Sequence, residues 1–168
     1  MERVANYGSV VEDLYLRFAD DVLRVSYFYL GDRQKAEDIT QETYMRLMQN
    51  QPDLKEGSEK SWLLKVALNL CRDQWRSAWM KRVILGSKKL EILPAHDEFD
   101  GRLEKEALMQ AIHSLPQEVK EVFLLHYYQG YSIEEMSQLL GSPPGTIASR
   151  LSRGRKKLKD LLEEDEAR

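Results

Sequence analysis

Apolar residues return at steps of three and four along almost the whole chain, and glycines and prolines interrupt that rhythm at only a few places. Val11, Leu14, Phe18, Val22, Val25 and Tyr29 follow it first, then Ala36, Ile39, Tyr44 and Leu47. Side chains at this spacing share one face of an α-helix, so each run predicts a helix with one buried stripe. Nowhere do apolar and polar residues alternate between hairpin turns, as strands require. The chain must therefore bury helix against helix, and an all-α fold is expected.

The interruptions divide it. Gly31 ends the first helix, and Asp32 is placed to cap the second. Asn50 to Gly57 reads as a loop, broken by Pro52 and Gly57, and Ser58 stands where it could cap a third helix reaching about Met80. From Ile84 to Gly101 no period is sustained, and Gly86, Pro94 and Gly101 fall there. That composition suits a linker. The 168 residues are thus expected to form two small helical domains, 1–83 and 102–168, joined by a linker at 84–101.

In the second domain Pro116 suits the first turn of a helix whose stripe is Val119, Val122, Phe123 and Tyr127, with Gly130 as its stop. Ser132-Ile133-Glu134-Glu135 fits a capping box, in which the serine hydroxyl and a glutamate carboxylate satisfy free amides at a helix start. Ile133, Met136, Leu139 and Leu140 then bury one face of a short helix that Gly141 ends. Pro143-Pro144-Gly145 makes a turn, and a longer helix follows to about Leu162.

Several classes of function lose support here. No run approaches the roughly 20 apolar residues of a membrane span. Met1 to Asn6 shows no apolar run of a secretion signal, so a cytoplasmic location and no membrane insertion are expected. Cys71 is the single cysteine, expected as a small buried hydrophobe, and no disulfide or Cys-rich metal site can be built. His96, His113 and His126 are scattered, and neither a Gly-rich phosphate loop nor an HExxH motif occurs. No catalytic residue, metal or cofactor is expected, and the chain does not read as an enzyme.

Charge is distributed unevenly. The net charge is −3, yet Gly145 to Lys159 holds Arg150, Arg153, Arg155, Lys156, Lys157 and Lys159 with no acid, which leaves −9 for the rest. Asymmetry of this kind suits one surface for a polyanion and another for something basic. A short capped helix, a tight turn and a basic second helix make a helix-turn-helix pattern. On the second helix Ile147, Leu151, Leu158 and Leu162 face the core, and Gly154 is small enough for close packing. Thr146, Ser149, Arg150, Arg153 and Lys157 fall on another face. There the N-terminal residues can read base edges, while later cations, Lys156 and Lys157 among them, hold phosphates. A solvated basic helix end is the competing reading. Acids from Asp160 onward reverse the sign, so the DNA-facing segment is expected to stop near Lys159.

Three blocks together resemble bacterial sigma factors of the extracytoplasmic-function group, and the resemblance covers nearly the whole chain. Lys35 to Tyr44 resembles the helix that binds the polymerase clamp. Ser61 to Asp73 resembles the helix that engages the −10 promoter element. Tyr131 to Lys159, above all Gly145-Thr146-Ile147 and Ser149 to Arg155, resembles the helix-turn-helix that reads the −35 element. The resemblance implies core RNA polymerase (through its β′ clamp), promoter DNA and an anti-sigma factor as partners. It places polymerase binding on Asp38, Gln41, Glu42 and Met45, one strip of the second helix.

It places −10 contacts on Lys65, Asn69, Arg72 and Arg76, in a stretch where Lys65 to Arg82 carries five cations against the single acid Asp73. Such a face suits a melted strand. The loop before it, Asn50 to Lys60, would receive an extruded base, at a cost of a few kcal/mol offset by pocket contacts. Trp62, Trp75 and Trp79 are candidates for stacking, with core burial as the alternative. Leu68 stands where many relatives carry a basic residue. The −35 contacts fall on Thr146, Ser149, Arg150, Arg153, Lys156 and Lys157. If about six cations met phosphates, log affinity would fall with log salt at a slope near −5.

Overall fold

The computed structural model describes residues 2–84 and 103–167. They are helical throughout except at turns and loops, and no strand occurs among them. The chain forms two compact units, Met1–Lys89 and Leu90–Arg168. Apart from Ile84, which closes a helix, the stretch expected as a linker lies outside the described residues.

The first unit contains α1 (Glu2–Leu30), α2 (Arg33–Asn50) and α3 (Glu59–Ile84). α1 stops where Gly31 takes φ +68 and its amide bonds Tyr27 O at 2.7 Å. That left-handed conformation suits glycine because it has no Cβ to clash. Asp32 then caps α2, its carboxylate accepting the Lys35 amide at 3.0 Å. Val22, Val25 and Tyr29 of α1 meet Ala36, Ile39 and Leu47 of α2 and Leu63, Leu64, Ala67, Leu68 and Cys71 of α3 in one buried core. Each such leucine contributes about 1.5–3 kcal/mol by leaving water. Cys71 is a free, buried thiol, as expected.

Polar groups inside this core are satisfied locally. Ser26, Thr40 and Thr43 are buried, and their hydroxyls donate to Val22 O (2.7 Å), Ala36 O (2.9 Å) and Ile39 O (2.8 Å) one turn earlier. This removes the penalty of an unpaired buried hydroxyl. The Tyr44 hydroxyl donates to Leu14 O at 3.0 Å, tying α2 to α1. Burial, with Tyr15 and Asp21 nearby, raises its phenol above the ordinary value, so it remains a donor.

The second unit holds α4 (Leu103–His113), α5 (Gln117–Phe123), a π-helical turn (Leu124–Tyr128), α6 (Ile133–Leu140) and α7 (Pro144–Glu166). α7 packs against α4, α5 and α6. Its Ile147, Leu151 and Leu158 are buried with Val119, Val122, Leu125, Met136 and Leu139. Gly154 makes the close approach its size suggested: a Cβ there would lie 3.0 Å from Val119 Cγ1 and 3.2 Å from Phe123 Cδ2.

Three local expectations change. The helix opened by Pro116 is not regular to Gly130. It widens to a π turn, closed by the Tyr131 amide on Leu125 O (2.9 Å) and by His126 Nδ1 donating to Tyr131 O (2.6 Å). Tyr127, expected in the apolar stripe, is 50% exposed. Ser58 precedes α3, but its hydroxyl donates backward to Lys55 O at 2.7 Å instead of accepting a helix amide. Lys120 and Glu121, neither expected inside, are buried and partnered.

Two stability predictions follow from this packing. Ser132→Ala should cost about 1 kcal/mol, because its hydroxyl accepts the Glu135 amide at 3.1 Å. Ser58→Ala should cost clearly less, and thermal melts of the two variants compare them directly. Gly154→Val should destabilise the second unit by about 2 kcal/mol, since the new side chain must push α7 off α5. A melt at or above the wild-type temperature would contradict that close packing.

Candidate nucleic-acid interface

The helix-turn-helix is built by α6, the turn after it and α7. The capping box of α6 is complete: Glu135 N meets Ser132 Oγ at 3.1 Å, and Ser132 N meets Glu135 Oε2 at 2.8 Å. Gly141 leaves α6 at φ +66, and the Ser137 hydroxyl donates to Ser142 O at 2.6 Å, fastening the turn to α6. Pro144 is the first residue of α7, where its missing N–H costs nothing. The start of α7 is thereby fixed before any partner arrives.

Residues of an α-helix advance by about 100° each, so α7 sorts into faces. Ile147, Leu151, Gly154 and Leu158 are turned inward. Ser149, Arg153, Lys156 and Lys157 are exposed and Thr146 is half-buried. Arg150 departs from the expected open position: its side chain is 16% exposed, and its Nη2 lies 3.5 Å from Glu118 Oε2 on α5. Arg155 is turned to another side, where its Nη1 donates to the Tyr127 hydroxyl at 2.7 Å. Lys159 sits 3.9 Å from Glu163, an exposed pair of little energetic weight. Three cations, Arg153, Lys156 and Lys157, therefore stand unpaired among the described side chains on or beside the outward face, fewer than the six in the sequence window.

The first unit presents two further surfaces. On α3, Lys65, Asn69 and Arg76 are exposed and Arg72 is half-buried, with Arg72 Nη1 donating to Asn69 Oδ1 at 3.1 Å. The four share the side of α3 away from Leu64, Leu68 and Cys71. Leu68 is core, so a basic side chain at that position would be buried. Trp62 and Trp75 are both half-buried, between stacking platform and core, and the Trp79 side chain lies outside the described residues.

On α2, Asp38, Gln41 and Met45 are exposed and Glu42 partly so, on the face opposite Ala36, Ile39, Thr43 and Leu47. Glu42 accepts from Arg46 at 3.2 Å and Asp38 from Gln34 at 3.4 Å. The loop 51–58 between α2 and α3 is held at its start by the Tyr7 hydroxyl on Pro52 O (3.2 Å) and near its end by the Gly57 amide on Glu59 Oε2 (2.8 Å). Burial, then the charge of Asp53, raises the Tyr7 phenol.

Similarity to known proteins covers both units. The Sigma-70 region 2 family matches residues 14–80 and the Sigma-70 region 4 family matches residues 105–158. The chain is 30% identical over 162 residues to the ECF RNA polymerase sigma factor SigL of Mycobacterium tuberculosis, covering 94% of this chain and 91% of SigL. It belongs to the ECF sigma factors. It is also 33% identical over 157 residues to ECF sigma factor SigE of Mycolicibacterium smegmatis, covering 90% of this chain but 61% of SigE. Among solved structures, the sigma factor RpoE of Bartonella quintana, crystallised with the anti-sigma factor NepR, matches with TM-score 0.78 and 26% identity over 90% of this chain and 96% of that one.

For this sigma factor, the region 2 match runs from α1 to α3 and the region 4 match from α4 to α7, so the candidate −10, −35 and polymerase residues all lie inside matched segments. Sequence reasoning missed Glu118 beside Arg150 and Tyr127 beside Arg155. Both partners lie far along the chain, and only the packing of α7 on α5 brings them close.

The two arginines give a direct test of the interface. Arg153→Ala should weaken duplex DNA binding about tenfold or more, the weight of one good base or phosphate contact. Arg155→Ala, removing a guanidinium that faces Tyr127, should cost about threefold or less. Fluorescence anisotropy on one duplex ranks them, and an equal loss would refute the assignment of faces.

Proposed function

We propose that this chain is a dissociable initiation subunit of bacterial RNA polymerase. Residues 1–83 bind the core enzyme and engage the −10 element, residues 102–168 hold the −35 duplex, and 84–101 link them. One observation supports this most: both sigma regions are matched in order on a chain whose acidic strip and basic helices face outward.

The division of labour follows from the surfaces. Asp38, Gln41, Glu42 and Met45 dock on the β′ clamp, the carboxylates meeting cations and the methionine supplying apolar contact. Lys65, Asn69, Arg72 and Arg76 follow the melted −10 strand, with Trp62 or Trp75 beside them for base stacking. Thr146, Ser149, Arg150 and Arg153 reach base edges of the −35 element, while Lys156 and Lys157 hold phosphates. Each DNA contact is weak alone. Joined on one polymerase they act as a single tight site, because the first engagement raises the effective concentration of the second.

The excess of acid outside α7 restrains binding by the free protein, so promoter engagement depends on the core enzyme. The work is done where core polymerase is, in the cytoplasm. No helix among the described residues is long and apolar enough to cross a membrane. An anti-sigma factor holding the chain inactive fits the solved complex of RpoE with NepR. No chemical step is assigned to the chain itself.

The double variant Asp38→Lys/Glu42→Lys tests the docking strip. Both positions point away from the core, so the helical signal and melting temperature should stay near wild type. Pull-down of purified core polymerase should fall by about tenfold or more, as expected when two docking charges are reversed. Run-off transcription from a genomic promoter library should fall with it. Undiminished capture of polymerase would remove the strip from the interface, and the absence of any specific start with wild-type protein would remove the initiation role.

A further inference from the structure

Arg150 is the cation of α7 that the fold treats differently from its neighbours. Its side chain is 16% exposed, Nη2 is 3.5 Å from Glu118 Oε2, and the Glu118 side chain is 72% exposed. The buried Nε of Arg150 has no hydrogen-bond partner among the described residues. Arg153, three positions on, is open to solvent. The more N-terminal guanidinium of the reading face is thus already engaged by a carboxylate of the same unit.

That engagement has unequal consequences for different DNA. Non-specific binding draws on cations that meet phosphates. A guanidinium neutralised by Glu118 adds little to it. Specific binding draws on base edges near the start of the reading helix, and guanine offers O6 and N7 as a planar pair of acceptors to the arginine fork. A carboxylate offers a similar pair. The two compete for the same donors, and an exposed carboxylate at 3.5 Å holds them weakly. Release also frees the buried Nε, a donor left unsatisfied while Arg150 lies against α5.

We infer that Glu118 is a specificity-determining residue of this sigma factor: it keeps Arg150 paired against α5 until a guanine edge replaces it, and so lowers binding to unrelated duplexes more than to the proper one. The inference rests on the reading of α7 as the duplex-binding helix. Glu118 acts through Arg150 and touches no base itself.

The test uses the full-length chain. A duplex enriched by the wild-type protein from a randomised library is compared with a scrambled duplex of equal length, by fluorescence anisotropy across a salt series. Glu118→Gln should bind the scrambled duplex about threefold tighter, the weight of one weak ion pair. Its log affinity against log salt should steepen by about 0.9, one more cation reaching phosphate. Affinity for the enriched duplex should change less, so discrimination falls. Glu118→Asp, which keeps the charge but shortens the reach, should behave like Glu118→Gln. In an Arg150→Gln background, either change at position 118 should have no effect.

Persistence of the Glu118→Gln effect in the Arg150→Gln background would overturn the inference, since Glu118 would then act by its own charge. So would weaker binding of the enriched duplex, which would make Glu118 a support for Arg150, or wild-type behaviour of both Glu118 variants. If Arg150→Gln does not fold, Glu118→Asp decides alone: wild-type discrimination overturns the inference. Failure of the wild-type chain to enrich any duplex would instead overturn the reading of α7 on which the inference stands.

Discussion

The second unit depends on one close approach, that of α7 to α5 at Gly154. A helix carrying six cations in its middle can be held in a small domain only if its remaining surface buries enough apolar area. Ile147, Leu151 and Leu158 supply that surface, and the bare backbone at Gly154 lets Val119 and Phe123 come within contact. A side chain at 154 would lift α7 away and turn its charged face. The position of Arg153 in solvent and of Arg150 against Glu118 both follow from this seating.

The caps and stops were readable because their chemistry is local. Asp32, the Ser132–Glu135 box, Gly31 and Gly141 each act on amides within a turn, and each occurs where the sequence placed it. The stripes were readable for the same reason, since a helix face is a property of spacing alone. Ser58 shows the limit. It had the right residue type in the right place, but the 51–58 loop offered its hydroxyl a carbonyl at Lys55, and that bond won. The π turn is a similar case. Nothing in Leu124 to Tyr128 marks an extra residue per turn, which arises where His126 reaches Tyr131 O and Tyr127 packs on Phe123.

What the sequence could not reveal is longer in range. Thr40 and Thr43 look like surface residues; the packing of α2 on its neighbours buries them, and each hydroxyl is satisfied by a carbonyl in its own helix. Arg150 and Arg155 look like equal members of a basic run. Packing on α5 separates them, one drawn to Glu118 and the other to Tyr127. Of the six cations in the window, three therefore stand open on or beside that surface, Arg153, Lys156 and Lys157. If all three met phosphates in non-specific binding, the slope of log affinity against log salt for α7 alone would be nearer −3 than −5, by the usual about 0.9 per phosphate.

That reduction bears on how such a chain works. With three open cations, α7 is expected to bind any duplex weakly, and the net −9 carried outside Gly145–Lys159 should weaken it further. Weakness here is consistent with function, because a sigma factor bound tightly to random DNA would be lost from the pool available to polymerase. The energy for a promoter complex must come from elsewhere, and the separate outward faces of α2 and α3 are where it can come from. If the acidic strip docks on a basic partner as proposed, both DNA surfaces come to the same polymerase, and affinity too low for the free chain then suffices. The overall acidity is in this view part of how the partner is chosen.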